Sequence, residues 1–285
     1  MSPFIKYLTI VIYIFISTSA SAKQTSTVFV SILPQKYFVQ SITGDRVKIQ
    51  VMVLPGESPA TYEPTPRQML KLSQANLYFS MGVPFEKKWL PKIKQLYPKL
   101  RFIQTDQGIK KRTMHSHRHH HAEEHHIPDP HIWLSPSLAI LQARNIYTAL
   151  IEHFPENRPY FKNNFHQLIN RIVELDLELI EILSHARHKA FMVFHPSWGY
   201  FADAYGLHQI SIETEGKEVK PSQLVDLIDR AQKNKIKVIF AQAQFSKKSA
   251  HLISKSIGGK LILIDPLSEN WADNLRKVAR EMVNQ

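Results

Sequence analysis

"ENRPYFKNNFHQLINRIVELDLELIEILSHARH", residues 156–188, lies between two segments of a different character and decides how the chain is organised. Phe161, Phe165, Leu168, Ile172, Leu175, Leu179 and Ile182 recur at alternating spacings of four and three. An α-helix turns once in about 3.6 residues, so this spacing gathers a single apolar stripe on one helical face. Asn157 stands where a cap belongs, and Pro159 suits a first turn whose N–H groups have no intrahelical partner in any case. From Pro159 to Ala186 the predicted helix runs on the order of 40 Å at about 1.5 Å per residue. A coiled-coil segment would carry the same pattern. Set between the two flanking segments, it reads as a rigid connecting spine that limits hinge closure.

Both flanks alternate short apolar runs with helical stretches. On the N-terminal side the strand candidates are "TVFVSILP" (27–34), "VKIQVMVLP" (47–55), "NLYFSMG" (76–82) and "LRFIQT" (100–105). Helices are expected over Gln35 to Ile42, from about Arg67, and near Phe85. On the C-terminal side "AFMVF" (190–194), "HQISI" (208–212), "KVIFAQ" (237–242) and "KLILID" (260–265) alternate with helices near Tyr200, Leu224 and Lys248. A helix over "NWADNLRKVAREMVNQ" (270–285) closes the chain. Strands separated by helices indicate βαβ units and mainly parallel sheets. The expected fold is therefore α/β, with two mainly parallel-sheet lobes joined by a long rigid helix. The expected divisions are a signal peptide (1–22), an N-terminal lobe (23–156), the connecting helix (157–187) and a C-terminal lobe (188–285).

Composition narrows the classes of function. With 285 residues, 44% of them hydrophobic, the chain can bury a sizeable core. Its formal charge of +12 is spread as scattered lysines, without an arginine-rich block interleaved with aromatics, which argues against nucleic acid as a partner. There is no cysteine, so disulfides, thiolate zinc sites, iron–sulfur clusters and a lipid-anchored cysteine are excluded. The opening "MSPFIKYLTIVIYIFISTSASAKQ" has one positive charge at Lys6, an apolar run from Tyr7 to Ile16 and the A-x-A pattern at Ala20–Ala22. That run is much shorter than the roughly 20 residues needed to span a bilayer. A secretory signal cleaved before Lys23, and a periplasmic mature protein, are expected.

Metal-type side chains fall into two groups. His115, His117, His119, His120, His121, His125 and His126 crowd a low-complexity stretch within residues 113–126, read as a loop that binds metal weakly. His121 to His125 matches H-x-x-E-H, but that motif needs a helix with a buried opposite face, and these flanks supply none. The second group stands outside the loop. His131 lies in the proline-bracketed "PDPHIWLSP", His195 directly follows the strand "AFMVF", and Asp265 directly follows "KLILI". In open α/β sheets ligands bind beyond the carboxyl ends of strands. Two imidazoles and a carboxylate from different lobes would suit zinc in a cleft between them. Taken singly, each residue fits turn chemistry as well.

At these residues the chain resembles the zinc- and manganese-binding solute-binding proteins of metal ABC importers, of the cluster A-I, zinc-receptor-like type. The resemblance is carried by "YEPTPRQMLKLSQANLYFSMGVPFE", "DPHIWLSP", "FHPSWGYFADAYGL", "GKEVKPSQLVDLIDRAQKNKIKVIFAQAQFS" and "DPLSEN", in that order, and covers the mature chain. It implies two lobes on a rigid helix, one metal ion in the cleft, and delivery of that metal to an ABC permease by a monomeric, non-catalytic receptor. By the resemblance His131 and His195 match metal ligands and Asp265 a carboxylate at the cleft. Manganese-binding members commonly carry a carboxylate where His195 stands, so Zn2+ is expected ahead of Mn2+. One departure stands out: Ala60 in "ESPATYEPTP" replaces the usual first histidine ligand. Glu63 and Glu57 are candidate substitutes. A secreted zinc hydrolase, a manganese or iron receptor, and an adhesin on the same fold are the competing readings.

Overall fold

The computed structural model describes residues 26–114, 127–213, 219–245 and 247–284. The expected signal peptide and the seven clustered histidines at 115–126 lie outside the described residues. The first half builds β1 (Thr27–Val30), α1 (Leu33–Thr43), β2 (Lys48–Val51), α2 (Pro66–Leu72), β3 (Leu77–Ser80), α3 (Pro84–Leu96), β4 (Arg101–Gln104) and α4 (Pro136–His153). The long helix α5 spans Arg158–Leu183. The second half builds β5 (Ala190–Val193), α6 (Gly199–Tyr205), β6 (His208–Ser211), α7 (Pro221–Lys233), β7 (Val238–Ala241), α8 (Lys248–Ser256), β8 (Lys260–Leu263) and α9 (Trp271–Val283).

The two halves repeat one topology. The sheets run β2-β1-β3-β4 and β6-β5-β7-β8, with every pairing parallel. In each, the chain moves to one side of its first strand and then crosses to the other. The crossing leaves a crevice beyond the carboxyl ends of β1 and β3, and another beyond β5 and β7. Among the described residues no helix is long and apolar enough to cross a membrane.

α5 is the spine that its sequence pattern predicts, with three local differences. Phe161, Leu168, Ile172, Leu175 and Leu179 are buried, and Leu183 rather than Ile182 completes the stripe. Leu183 continues the spacing of four after Leu179, which keeps the stripe on the same face. Phe165 sits at the stripe's margin, half-buried, with its ring stacked 4.4 Å from that of Tyr147 on α4. Asn157 occupies the cap position without capping: its Oδ1 accepts from Arg46 and its Nδ2 donates to Glu156.

Packing shows why the lobes cannot swing freely. α5 lies against α1 and α4 of the first half and α9 of the second. One hydrophobic core consequently runs from the first sheet, across α5, to one face of the second sheet, where it takes in Phe191, Val193, Val238 and Phe240. The alternate residues Met192, Phe194, Ile239 and Ala241 face the other way, into a smaller core that includes Leu227 and Ile253 of α7 and α8. Such alternation follows from the two-residue period of a strand.

Two tryptophans close the lobe interface. Trp133, in the 3₁₀ turn Ile132–Leu134, donates its indole N–H to the Pro266 carbonyl at 2.7 Å. Trp271, at the start of α9, donates to the Trp133 carbonyl at 2.7 Å. Trp271 also packs 5.1 Å from Phe38 and 5.6 Å from Tyr37 of α1. At the rim Lys36 pairs with Glu269 at 2.6 Å.

The spine makes a stability prediction. Leu175→Ala, at a fully buried position, is expected to cost about 2–5 kcal/mol. Leu177→Ala, on the exposed side of the same helix, is expected to stay within about 0.5 kcal/mol. Urea unfolding of the two variants measures the contrast, and equal losses would contradict the assigned faces.

Candidate metal centre between the lobes

His131 is placed by a turn that its own neighbours build. Pro128 and Pro130 bracket Asp129, and the buried Asp129 Oδ1 accepts from the His131 backbone N–H at 3.0 Å and stands 2.7 Å from the ring Nδ1. Such a turn, closed by an Asp side chain two residues back, is a standard use of this residue. Asp129 is anchored in turn, since its carbonyl accepts from the Tyr200 hydroxyl at 3.0 Å and its N–H donates to Arg112 at 2.8 Å.

His195 comes from the opposite lobe, immediately beyond β5. Its backbone N–H donates to Gln242 Oε1 at 3.1 Å, and Gln242 Nε2 returns a bond to the His195 carbonyl at 2.9 Å. Gln242 follows β7 directly, so this exchange bridges the crevice of the second sheet. The His195 Nδ1 meets Glu213 Oε1 at 2.6 Å. Its ring stacks 4.7 Å from Phe245.

The structure brings His131 and His195 together, with ring centroids 5.3 Å apart. An ionised carboxylate only accepts hydrogen bonds, so in each pair the Nδ1 is the donor. Burial lowers the His131 pKa from its ordinary value, against the opposing pull of Asp129. The ring is therefore neutral near pH 7, the form that ligates a metal.

The other candidates go elsewhere. Asp265 forms its own turn, with Oδ1 accepting from Leu267 N–H at 2.9 Å and from Gln244 Nε2 at 3.0 Å. It touches the cleft through Gln244, which lines it. Glu63 is exposed and pairs with Lys88 on α3, which lowers its pKa. Glu57 is exposed, and neither glutamate lines the cleft, whereas Ala60 does. Among the described residues no three His, Asp or Glu side chains converge into a metal-holding group. The cleft bounded by the described residues has a volume of about 1380 Å³.

Three groups at the cleft were not singled out from the sequence. Asp129 was legible as an Asx turn in "PDPH". Glu213 directly follows the strand "HQISI", the same position that drew attention to His195. Glu86, in the first turn of α3, carried no signal. It is buried, and it accepts from the N–H groups of Met81 at 3.1 Å and Gly82 at 2.8 Å, with Ser31 Oγ at 2.5 Å. Gly82 has φ +84°, and a Cβ there would meet the Lys111 ammonium. Burial raises the Glu86 pKa to about 7.

Residues 28–285 match the family model for zinc-uptake complex component A, periplasmic. A crystal structure of ZnuA superposes with a TM-score of 0.85 at 40% identity, over 91% of this chain and 98% of that one. Zinc-binding lipoprotein AdcA of Streptococcus pneumoniae is 29% identical over 244 residues, which are 82% of this chain and 48% of the relative. High-affinity zinc uptake system protein ZnuA of Bacillus subtilis is 27% identical over 243 residues, 82% of this chain and 76% of the relative. This chain thus spans about half the length of AdcA.

Two outcomes follow from the carboxylates. Glu213→Gln keeps an acceptor for His195 but removes the charge, and is expected to lower metal affinity about 10–100-fold with little change in Tm. Calorimetric metal titration checks it. For Glu86, the folded chain holds a proton that the unfolded chain releases between pH 4.5 and about 7. Wild-type stability therefore falls as pH rises through that window. Glu86→Gln mimics the protonated form, so its stability relative to wild type should grow by about 2–3 kcal/mol from acid to mildly alkaline pH. Denaturant curves at both ends measure this, and a constant difference would refute it.

Proposed function

The chain belongs to the zinc-uptake complex component A family, and from that membership we propose that it is a periplasmic receptor that captures zinc between its lobes. In this reading it performs no bond chemistry and delivers the ion to the permease of an ABC importer. His131 and His195 are the direct ligands. Asp129 and Glu213 fix their tautomers and ring orientations, and Asp265 holds Gln244 on the cleft wall.

One observation carries the ligand assignment. Two imidazoles on a tetrahedral zinc, with Zn–N bonds of about 2.0–2.1 Å, set their ring centroids about 5 Å apart. The two rings stand at 5.3 Å, and each has its Nδ1 committed to a carboxylate. Carboxylate–imidazole pairs of this kind raise ligand basicity and hold the ring in aim. An imidazole pair also suits zinc better than manganese, which prefers oxygen donors.

The seven histidines at 115–126 are assigned a separate, auxiliary role as weak sites that gather zinc near the cleft. Their segment is closed at its base, where Met114 N–H donates to the Ile127 carbonyl at 2.9 Å and Thr113 bridges to Pro128. Removing 115–126 should therefore leave His131 in place. Metal analysis and calorimetry are expected to find one tightly bound zinc per chain in the wild type and in the 115–126 deletion, and none in His131→Ala/His195→Ala. A deletion variant with no tight zinc, or a double variant that keeps it, would sink the assignment.

A further inference from the structure

We infer that Arg112 is a positioning residue for the zinc site, whose guanidinium holds the Asp129–His131 pair against α6, the helix that follows His195. This rests on His131 and His195 being zinc ligands. Arg112 is joined to the turn of His131 through the backbone, since its carbonyl accepts from Asp129 N–H at 2.8 Å. Its own N–H donates to the Tyr200 hydroxyl at 2.9 Å, which donates onward to the Asp129 carbonyl at 3.0 Å. Tyr200 belongs to α6 of the second lobe, so this chain of bonds ties the turn to the opposite lobe.

The side chain extends that link. Asp129 is buried, with its Oδ1 engaged by the His131 N–H and Nδ1, and its Oδ2 faces Arg112 Nε at 3.9 Å. On another edge the guanidinium meets Asp203 of α6, with Nη1 and Oδ2 3.2 Å apart, and its Cζ lies 5.8 Å from the centre of the Tyr200 ring. A buried carboxylate needs a counter-charge nearby, and an arginine keeps its charge at every pH a folded protein meets. The planar guanidinium also presents donors on separate edges in fixed geometry, so one side chain faces a carboxylate of each lobe, where an ammonium offers a single charged point. Asp203 is largely exposed, so that arm steers the guanidinium rather than gripping it.

Gly199 makes room for this arrangement. A Cβ at this first residue of α6 would collide with Arg112 Nη1 and Cζ. The collision is with the far end of a flexible side chain and not with backbone, so alanine is accommodated by swinging the guanidinium away. Alanine also favours the helix more than glycine does. Gly199→Ala therefore displaces the cation from Asp129 while leaving Arg112, Asp129 and both histidines in the sequence. The aim of His131 towards His195 depends, on this view, on a side chain that reaches the ring through Asp129.

Competitive zinc titration of Arg112→Gln, Gly199→Ala and the double variant tests this, together with the Nδ1 proton resonance of His131 in histidine-labelled protein. Each single variant is expected to bind one zinc per chain about tenfold more weakly than wild type, the low end of the range for groups that orient a ligand, with Tm unchanged. The Nδ1 resonance should shift in both. The double variant should bind no more weakly than Arg112→Gln, because alanine at 199 acts only through the guanidinium. Wild-type affinity in the single variants overturns the inference and leaves the zinc receptor intact. Losses that add in the double variant, or that come with a fall in Tm and an unmoved Nδ1 resonance, overturn it likewise. If Arg112→Gln does not fold, the affinity and resonance of Gly199→Ala decide alone. A wild-type chain that binds no zinc removes the receptor reading and this inference together.

Discussion

Two buried indole N–H groups that find their acceptors across the interface decide how the lobes of this protein meet. Trp133 finds the Pro266 carbonyl across the interface, and Trp271 finds the carbonyl of Trp133 itself. Each bond left unmade would cost about 1–3 kcal/mol, so the pair acts as a reciprocal clasp. The clasp begins two residues after His131 and ends beside the turn of Asp265. The distance between the two facing histidines is therefore set by the same contacts that hold the lobes together.

Stiffness follows from packing as much as from the clasp. The core that fills the first lobe continues along α5 and under the second sheet without interruption. Opening the cleft by a hinge would expose that continuous surface, at about 25 cal/mol for every Å² of apolar area. With the lobes fixed in this way, His131 and His195 are held facing each other, and bringing them together calls for no large rearrangement.

Much of this was legible in the sequence because it is local. The 3.6-residue stripe of α5 and the strand–helix alternation each report on neighbours a few residues apart, and all eight strands form where short apolar runs predicted them. His131 and His195 were legible from their positions at turn and strand ends. Long-range facts were not. No local signal says that α9 returns to pack on α1, or that Asp265 spends its carboxylate on Leu267 and Gln244. Glu63 shows the same limit: its acidic side chain suggested a ligand, while Lys88, twenty-five residues on, takes it outward. Asp129 and Glu213 lie within reach of the rules that find their histidines, since one closes the turn of His131 and the other follows the strand β6.

The two cores are unequal, and this gives the cleft two walls with different lifetimes. His131 belongs to a turn locked into the large core through Trp133 and Ile132. His195 leans on Phe245, which with Phe194 packs on the smaller cluster beneath α7 and α8. Local opening in proteins is drawn from the units with least buried contact. The layer behind His195 is thus the first to breathe, while the layer behind His131 keeps time with global unfolding. Opening of the space between the two histidines is accordingly a one-sided event, governed by the brief loosening of a single wall in a frame that stays closed.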